Sequence, residues 1–248
     1  MINNAEKNFD NKGLIQKYEL EYFLYYEITC PLSRQVRILL EENELKNSII
    51  KYNKNLSEEQ KNLFLKKNPF NIMPFLVVKN NINNATFEVY GISNCINIVN
   101  SKCKNLIPSD LEKKIITNNL LYVINTNFFE EITKIIIYEK ITKYSVYKKA
   151  PDSLILSNVR KNLIKYLNYF AKMINVNTNL STEQLSLADI ALFSHISLLD
   201  YVNEIDWNKH EILKEWYLII KSKPNFRKVL NEFIPGFVPS YSYKNLDF

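Results

Sequence analysis

Cys30-Pro31-Leu32-Ser33 stands where an alternating polar and apolar stretch, Glu19 to Tyr26, gives way to a pattern in which Val36, Leu39 and Leu40 mark one helical face. Pro31 suits the first position of that helix, because its missing N–H would have no intrahelical partner there. Cys30 is thereby placed at the N-cap. Downstream, Met73-Pro74 precedes Phe75-Leu76-Val77-Val78, a strand whose first residue can lack a donor without harm. Between the two motifs, Ser48 to Tyr52 reads as a strand, and Ser57-Glu58-Glu59-Gln60 is a capping box opening a helix that ends at Asn68-Pro69. Beyond them, Thr86 to Val89 predicts a fourth, antiparallel strand, and Ser93 the cap of a helix running to about Lys102. The order is βαβ followed by ββα.

Strand signals stop near residue 106. Ser109-Asp110-Leu111-Glu112 opens the first of several long helices, with helical periodicity over 110–147, 152–175, 186–202, 210–222 and 225–233. In Ser186-Leu187-Ala188-Asp189 the aspartate lies at N3, where it can return a hydrogen bond to the capping serine. The helix behind it, Ile190 to Tyr201, is mostly apolar and therefore predicted to be buried. Residues 1–17 are polar and aperiodic, and read as a disordered leader. Residues 234–248 carry Pro235 and Pro239, which predict an extended C-terminal tail lying in a groove.

Composition narrows the function. A chain of 248 residues can build one large or two modest cores without disulfide or metal. Cys30, Cys95 and Cys103 form no CxxC, and His195 and His210 are the only histidines, so no metal site is expected. The net charge of +6 is carried by scattered lysines, with arginine only at positions 34, 37, 160 and 227; no aromatic-basic stripe builds a nucleic-acid groove. No apolar run approaches a membrane span, and the cysteine usage with no secretory signal points to a reducing cytoplasm.

The site chemistry centres on Cys30. A thiol at a helix N-cap feels about half a positive charge, which lowers its pKa and makes Cys30 the candidate nucleophile. A small residue capping a helix is the plain alternative. His195, Asp206, Trp207, His210 and Trp216 read as core packing.

The layout resembles the cytosolic glutathione-transferase family. Ile72-Met73-Pro74 is similar to its cis-proline loop, Ser93 to its serine at a helix N-terminus, and Ser186-Leu187-Ala188-Asp189 to its buried capping box. The resemblance implies a thioredoxin-like βαβ-ββα domain over 18–105 followed by an all-helical domain over 106–233, a combination of α/β and all-α architecture. It also implies that Met73, Pro74 and Ser93 would hold the glutathione backbone, and that an acid should precede the serine. Ile92 stands there instead. Losing that charge-assisted hydrogen bond costs about 1.5–3 kcal/mol, roughly a ten- to hundredfold weakening, so glutathione is expected to bind weakly and no cofactor is required. Cys30-Pro31-Leu32-Ser33 is similar to the Cys-Pro-x-Ser of glutaredoxin-like and cysteine-type transferases, which keeps a thiol transferase using Cys30 as the alternative reading.

In the second half, Ala150-Pro151-Asp152-Ser153, Asp200-Tyr201, Asp206-Trp207, Glu215-Trp216-Tyr217 and Lys221 to Arg227 follow one another as in a transferase-fold family of alphaproteobacterial division proteins. That similarity runs from about Glu19 to the tail Pro235 to Phe248, which ordinary transferases lack. It implies a homodimeric adaptor at the division site that binds the tubulin-like GTPase FtsZ, alters filament assembly and reaches a downstream division protein through its tail. On that reading Arg34 and Arg37 form a basic partner-facing patch, and Tyr243, Leu246, Asp247 and Phe248 a binding epitope, while Phe237 and Tyr241 lie against their own domain. Cys30 and the leader depart from that family.

Overall fold

The computed structural model describes residues 19–52, 57–100 and 106–248, without the side chains of residues 175 and 177. The leader expected at 1–17 and Cys103 lie outside the described residues. The chain divides into two compact units, Met1–Lys104 and Asn105–Phe248.

The first unit runs β1 (Leu20–Tyr26), α1 (Pro31–Glu42), β2 (Asn47–Lys51), α2 (Glu58–Lys67), β3 (Phe75–Asn80), β4 (Thr86–Tyr90) and α3 (Ile92–Asn100). Its sheet has the order β2-β1-β3-β4, with β1 parallel to β2 and antiparallel to β3, and β3 antiparallel to β4. The parallel pair needs a crossover, which α1 supplies. Phe75, Leu76, Val77 and Val78 are all buried, as a central strand covered on both faces requires. In β1 the alternation is legible: Tyr22, Leu24 and Tyr26 are buried, while Phe23 and Tyr25 point the other way and stay half-buried. On that second face Phe64 of α2 meets Phe75 edge-on at 5.7 Å, with Tyr25 and Tyr52 at 5.3 and 4.2 Å from Phe64.

The caps show where the reading of the sequence was right and where it slipped. Ser57 opens α2 with the predicted reciprocal pair, Gln60 N–H donating to Ser57 Oγ at 3.2 Å and Ser57 N–H to Gln60 Oε1 at 3.0 Å. Ser93, expected to cap α3, instead lies in its first turn. Gly91 holds φ +75°, a conformation that glycine adopts without penalty, and its carbonyl already accepts from Cys95 N–H at 3.1 Å, so the helix begins at Ile92. Asp110, rather than Ser109, caps the next helix by accepting from Lys113 N–H at 3.0 Å.

The second unit begins with a helical run over 111–147: α4 (Leu111–Val123), α5 (Lys134–Ile137) and α6 (Lys143–Tyr147), joined by π-helical turns at Ile124–Thr133 and Tyr138–Thr142. Then follow α7 (Ser153–Asn177), α8 (Leu187–Tyr201), α9 (Glu211–Lys221), α10 (Pro224–Leu230) and α11 (Tyr241–Lys244). All 15 residues of α8 are buried, which makes it the centre of the bundle. Its entrance is fixed by Asp189, whose carboxylate accepts from Ser186 N–H (2.9 Å), Ser186 Oγ (2.6 Å), Leu180 N–H (2.9 Å) and Trp216 Nε1 (3.2 Å). The tail is not extended throughout: Ser240 Oγ accepts from Tyr243 N–H at 3.0 Å and caps the single turn α11, since Pro239 before the cap leaves the following residues free to coil.

Candidate functional site

Three motifs converge at one end of the first unit's sheet. Tyr25 pairs with Phe75, and Phe75 with Tyr90, so the segments just beyond β1, before β3 and after β4 share an edge. These segments carry Cys30, Met73-Pro74 and Ile92-Ser93. The Met73–Pro74 peptide bond is cis. Pro74 O accepts from Gly91 N–H at 2.9 Å, tying the proline loop to the start of α3. Asn68 braces the same loop, donating to Ile72 O at 2.9 Å and accepting from Ile72 N–H at 3.1 Å. That brace escaped the sequence reading, although an asparagine before Pro69 was its signal. Ser93 is exposed in the first turn of α3, and Ile92 beside it offers only carbon where an acceptor would stand.

Cys30 does occupy the N-cap of α1, with Pro31 at N1. Its expected activation does not follow. Burial pushes the thiol above its ordinary range, outweighing the lowering influence of Ser33 and the amides of the helix end, while the charge of Glu27 pushes the same way. Glu27 itself accepts from Thr29 Oγ1 at 3.0 Å.

The basic patch is corrected too. Arg34 is fully buried, its Nε donating to Ile28 O at 3.3 Å, because α1 buries nine of its 12 residues rather than one face. Arg37 is half-buried, with its guanidinium 5.1 Å from the Tyr26 ring centroid.

In the second unit the tail folds onto its own bundle. Tyr243, expected at a partner surface, is buried edge-on against Tyr201 at 4.8 Å. Phe248 is half-buried, 5.5 Å from Trp207, with Lys214 and Lys221 Nζ 4.9 and 5.1 Å from its ring centroid. Leu246 is half-buried and Asp247 exposed, whereas Tyr241, expected against its own domain, is 72% exposed. The anchors are two buried ionisable groups. Asp200 accepts from Trp207 Nε1 and Tyr217 Oη at 3.0 Å each, from Ser240 Oγ at 3.3 Å and from Ser242 Oγ. Lys221 donates to Ser242 O and, at 2.6 Å, to Asn245 O. Burial lowers the Lys221 pKa to about 8 against the opposing pull of Asp200, and burial raises that of Asp200. Lys221 falls at the core-facing spacing of Leu213 and Tyr217 in α9, a signal the sequence carried.

Among the described residues no cluster of histidine, cysteine and carboxylate could hold a metal, and no helix is long and apolar enough to cross a membrane.

Residues 21–84 match the glutathione S-transferase N-terminal domain, and 128–232 the glutathione S-transferase C-terminal domain. The chain is 30% identical over 232 residues to FtsZ-localized protein A of Caulobacter vibrioides, covering 92% of this chain and 99% of that one. Among solved structures, FzlA from C. crescentus superposes with a TM-score of 0.83 at 27% identity, covering 92% of this chain and all of that one. A glutathione S-transferase from Rhodospirillum rubrum F11 gives 0.81 at 28%, and one from Sinorhizobium meliloti 1021 gives 0.80 at 26%, with the same coverage. Two successive domain matches, and a likeness to FtsZ-localized protein A that continues through the second of them, lead to one assignment: this chain belongs to the glutathione S-transferase family and stands with FtsZ-localized protein A within it.

Proposed function

We propose that this chain is a transferase-fold adaptor of bacterial cell division that binds FtsZ filaments and regulates their assembly and constriction, working by binding rather than turnover. The observation that carries this reading is the likeness to FtsZ-localized protein A, which spans nearly the whole of both chains rather than one shared domain. The state of the glutathione site supports it: Ile92 supplies no acceptor and burial raises the Cys30 thiol, so glutathione binds weakly and no cofactor is needed. As a homodimer at the division site in the cytoplasm, the adaptor would present one surface twice and bridge or curve a polymer by avidity. The half-exposed Arg37 and the net charge of +6 favour encounter with an acidic filament. Leu246 and Asp247 keep enough exposure to meet a second division protein.

The rival reading, a glutathione-dependent thiol transferase, draws on Cys30 at the N-cap of α1, with Pro31 at N1. Co-sedimentation with FtsZ and GTP separates the two. The adaptor should pellet saturably with polymer, less so at high salt and less so as Arg37→Glu. A chain that stays in the supernatant while FtsZ pellets overturns the proposal. Titration calorimetry showing tight glutathione binding that Cys30→Ser abolishes would establish the rival.

A further inference from the structure

The tail is held by a set of contacts that read its side chains and backbone in order. Ser240 and Ser242 donate hydroxyls to Asp200, and the carbonyls of Ser242 and Asn245 accept from Lys221. Tyr243 inserts beside Tyr201, and Phe248 closes over Trp207 between two ammonium groups. This is the contact inventory of a peptide-recognition site, with the peptide supplied by the same chain. We propose that the surface formed by Asp200, Tyr201, Trp207 and Lys221 is a docking site for a Ser-x-Ser-Tyr-x-Asn-x-x-Phe segment, filled in cis by residues 240–248 and open in trans to the same segment of a second copy.

Three features make the segment exchangeable. It leaves the bundle through Pro235-Gly236-Phe237-Val238, where Pro235, Gly236 and Val238 are exposed, and Gly236 holds φ +82° with open space where a Cβ would be. It is tied by Tyr201 Oη, which donates to Phe237 O at 2.9 Å, by Phe237 N–H to Ile234 O at 3.0 Å and by the Phe237 ring 6.1 Å from that of Tyr144, and these few contacts open when it swings. The anchors are charged, so Asp200 and Lys221 regain water when the tail departs, and the net docking strength is far less than the contacts summed. A cavity of about 620 Å³ also opens beside Phe248, lined by Leu163, Leu167 and His210, so the site is not sealed from solvent.

Cis occupancy should win in dilute solution, because a short tether holds the tail at an effective concentration of about a millimolar. Copies crowded along a polymer reach the same range, and there a neighbour's tail competes; this last step rests on the filament-binding reading, while the site itself does not.

The test uses full-length chains and needs no FtsZ. A fluorescent peptide of residues 240–248 is titrated with wild type and with Ser242→Ala/Phe248→Ala, whose own tail is weakened, and anisotropy is followed. The tail variant should bind at least about tenfold more tightly than wild type, where the intact tail competes. A peptide carrying the same two alanines should not bind. Unlabelled wild-type chain, raised towards about a millimolar, should displace the peptide from the tail variant, whereas added tail variant should not. Equal binding by the two chains, no binding to the tail variant, or no displacement by wild type would overturn the proposal. So would loss of the tail variant's circular dichroism, which would make the tail an inseparable part of the core.

Discussion

Lowering the pH should destabilise the second unit at His195. The imidazole is fully buried in α8, its Nδ1 2.9 Å from Thr133 Oγ1, with the rings of Phe128 and Phe129 at 5.5 and 6.0 Å. Its Nε2 has no hydrogen-bond partner among the described residues. Burial alone drives its pKa from 6.5 down to about 3. The folded-state value is depressed, so protons bind the unfolded chain preferentially; stability is complete above about pH 6.5 and is lost as pH falls towards 3. Within that window each unit costs about 1.4 kcal/mol, so going from about pH 7 to about pH 4.5 should remove about 2.5 kcal/mol. That is a large share of the 5–15 kcal/mol or so that holds an ordinary domain. Urea unfolding followed by far-ultraviolet circular dichroism, run on wild type and His195→Gln at both pH values, isolates the effect. Glutamine keeps a polar group near Thr133 and does not titrate, so the variant should lose about 2.5 kcal/mol less than wild type over the same interval. Identical pH dependence in the two proteins would refute the assignment.

Two further substitutions probe the core and the candidate site. Asp189→Ala removes the acceptor of the Leu180 and Ser186 N–H groups, of the Trp216 indole and of the Ser186 hydroxyl, whose oxygen already accepts from Ser181 Oγ at 3.1 Å; the loss should cost about 3–5 kcal/mol in urea unfolding, and a loss under about 1 kcal/mol would contradict the network. Ile92→Glu restores an acceptor in the first turn of α3, where a negative charge also suits the helix end. Glutathione affinity by calorimetry should rise about tenfold or more, and no change would show that the missing acid is not what limits binding.

The fold was legible where local chemistry sets the backbone. Pro31 marked the start of α1, Ser57 with Gln60 and Ser186 with Asp189 marked helix entrances, and the unbroken apolar run after Ile190 announced a helix buried all round. Reading failed where tertiary packing decides. Arg34 looked like surface charge because one-faced amphipathicity was assumed for a helix that is buried on several sides. The π-helical turns were invisible because periodicity over 110–147 cannot reveal that Lys134 N–H reaches Phe129 O, one residue further back than an α-helix allows. The tail was read from its prolines as extended throughout, although Ser240 directly after Pro239 was a cap in plain view. Lys221 was passed over because its charge hid that it occupies an inward position of α9.

The candidate site separates what the fold demands from what a ligand would demand. Pro74, Gly91 and Asn68 hold one another: Pro74 O takes the Gly91 amide, Gly91 supplies the positive φ that starts α3, and Asn68 brackets the loop between α2 and β3. The brace is made within the chain and needs no tripeptide to form, so these residues say little about chemistry. Ile92 and Ser93 are different. Ser93 is exposed and Ile92 half-buried in a first turn where the helix end would favour an acid, because negative charge is stabilised there by about 0.3–1 kcal/mol. The charge at the helix end therefore gives no reason to prefer an aliphatic side chain at position 92, and a glutathione-binding role gives a reason against it. The same holds for Cys30, whose cap position costs nothing to fill with serine or aspartate, yet whose thiol is held in its neutral form by its surroundings. Where the fold leaves a residue free, the residue found reports on the ligand: the missing acceptor at position 92 is what the proposed binding role rests on, and the thiol at position 30 is what the rival thiol transferase draws on.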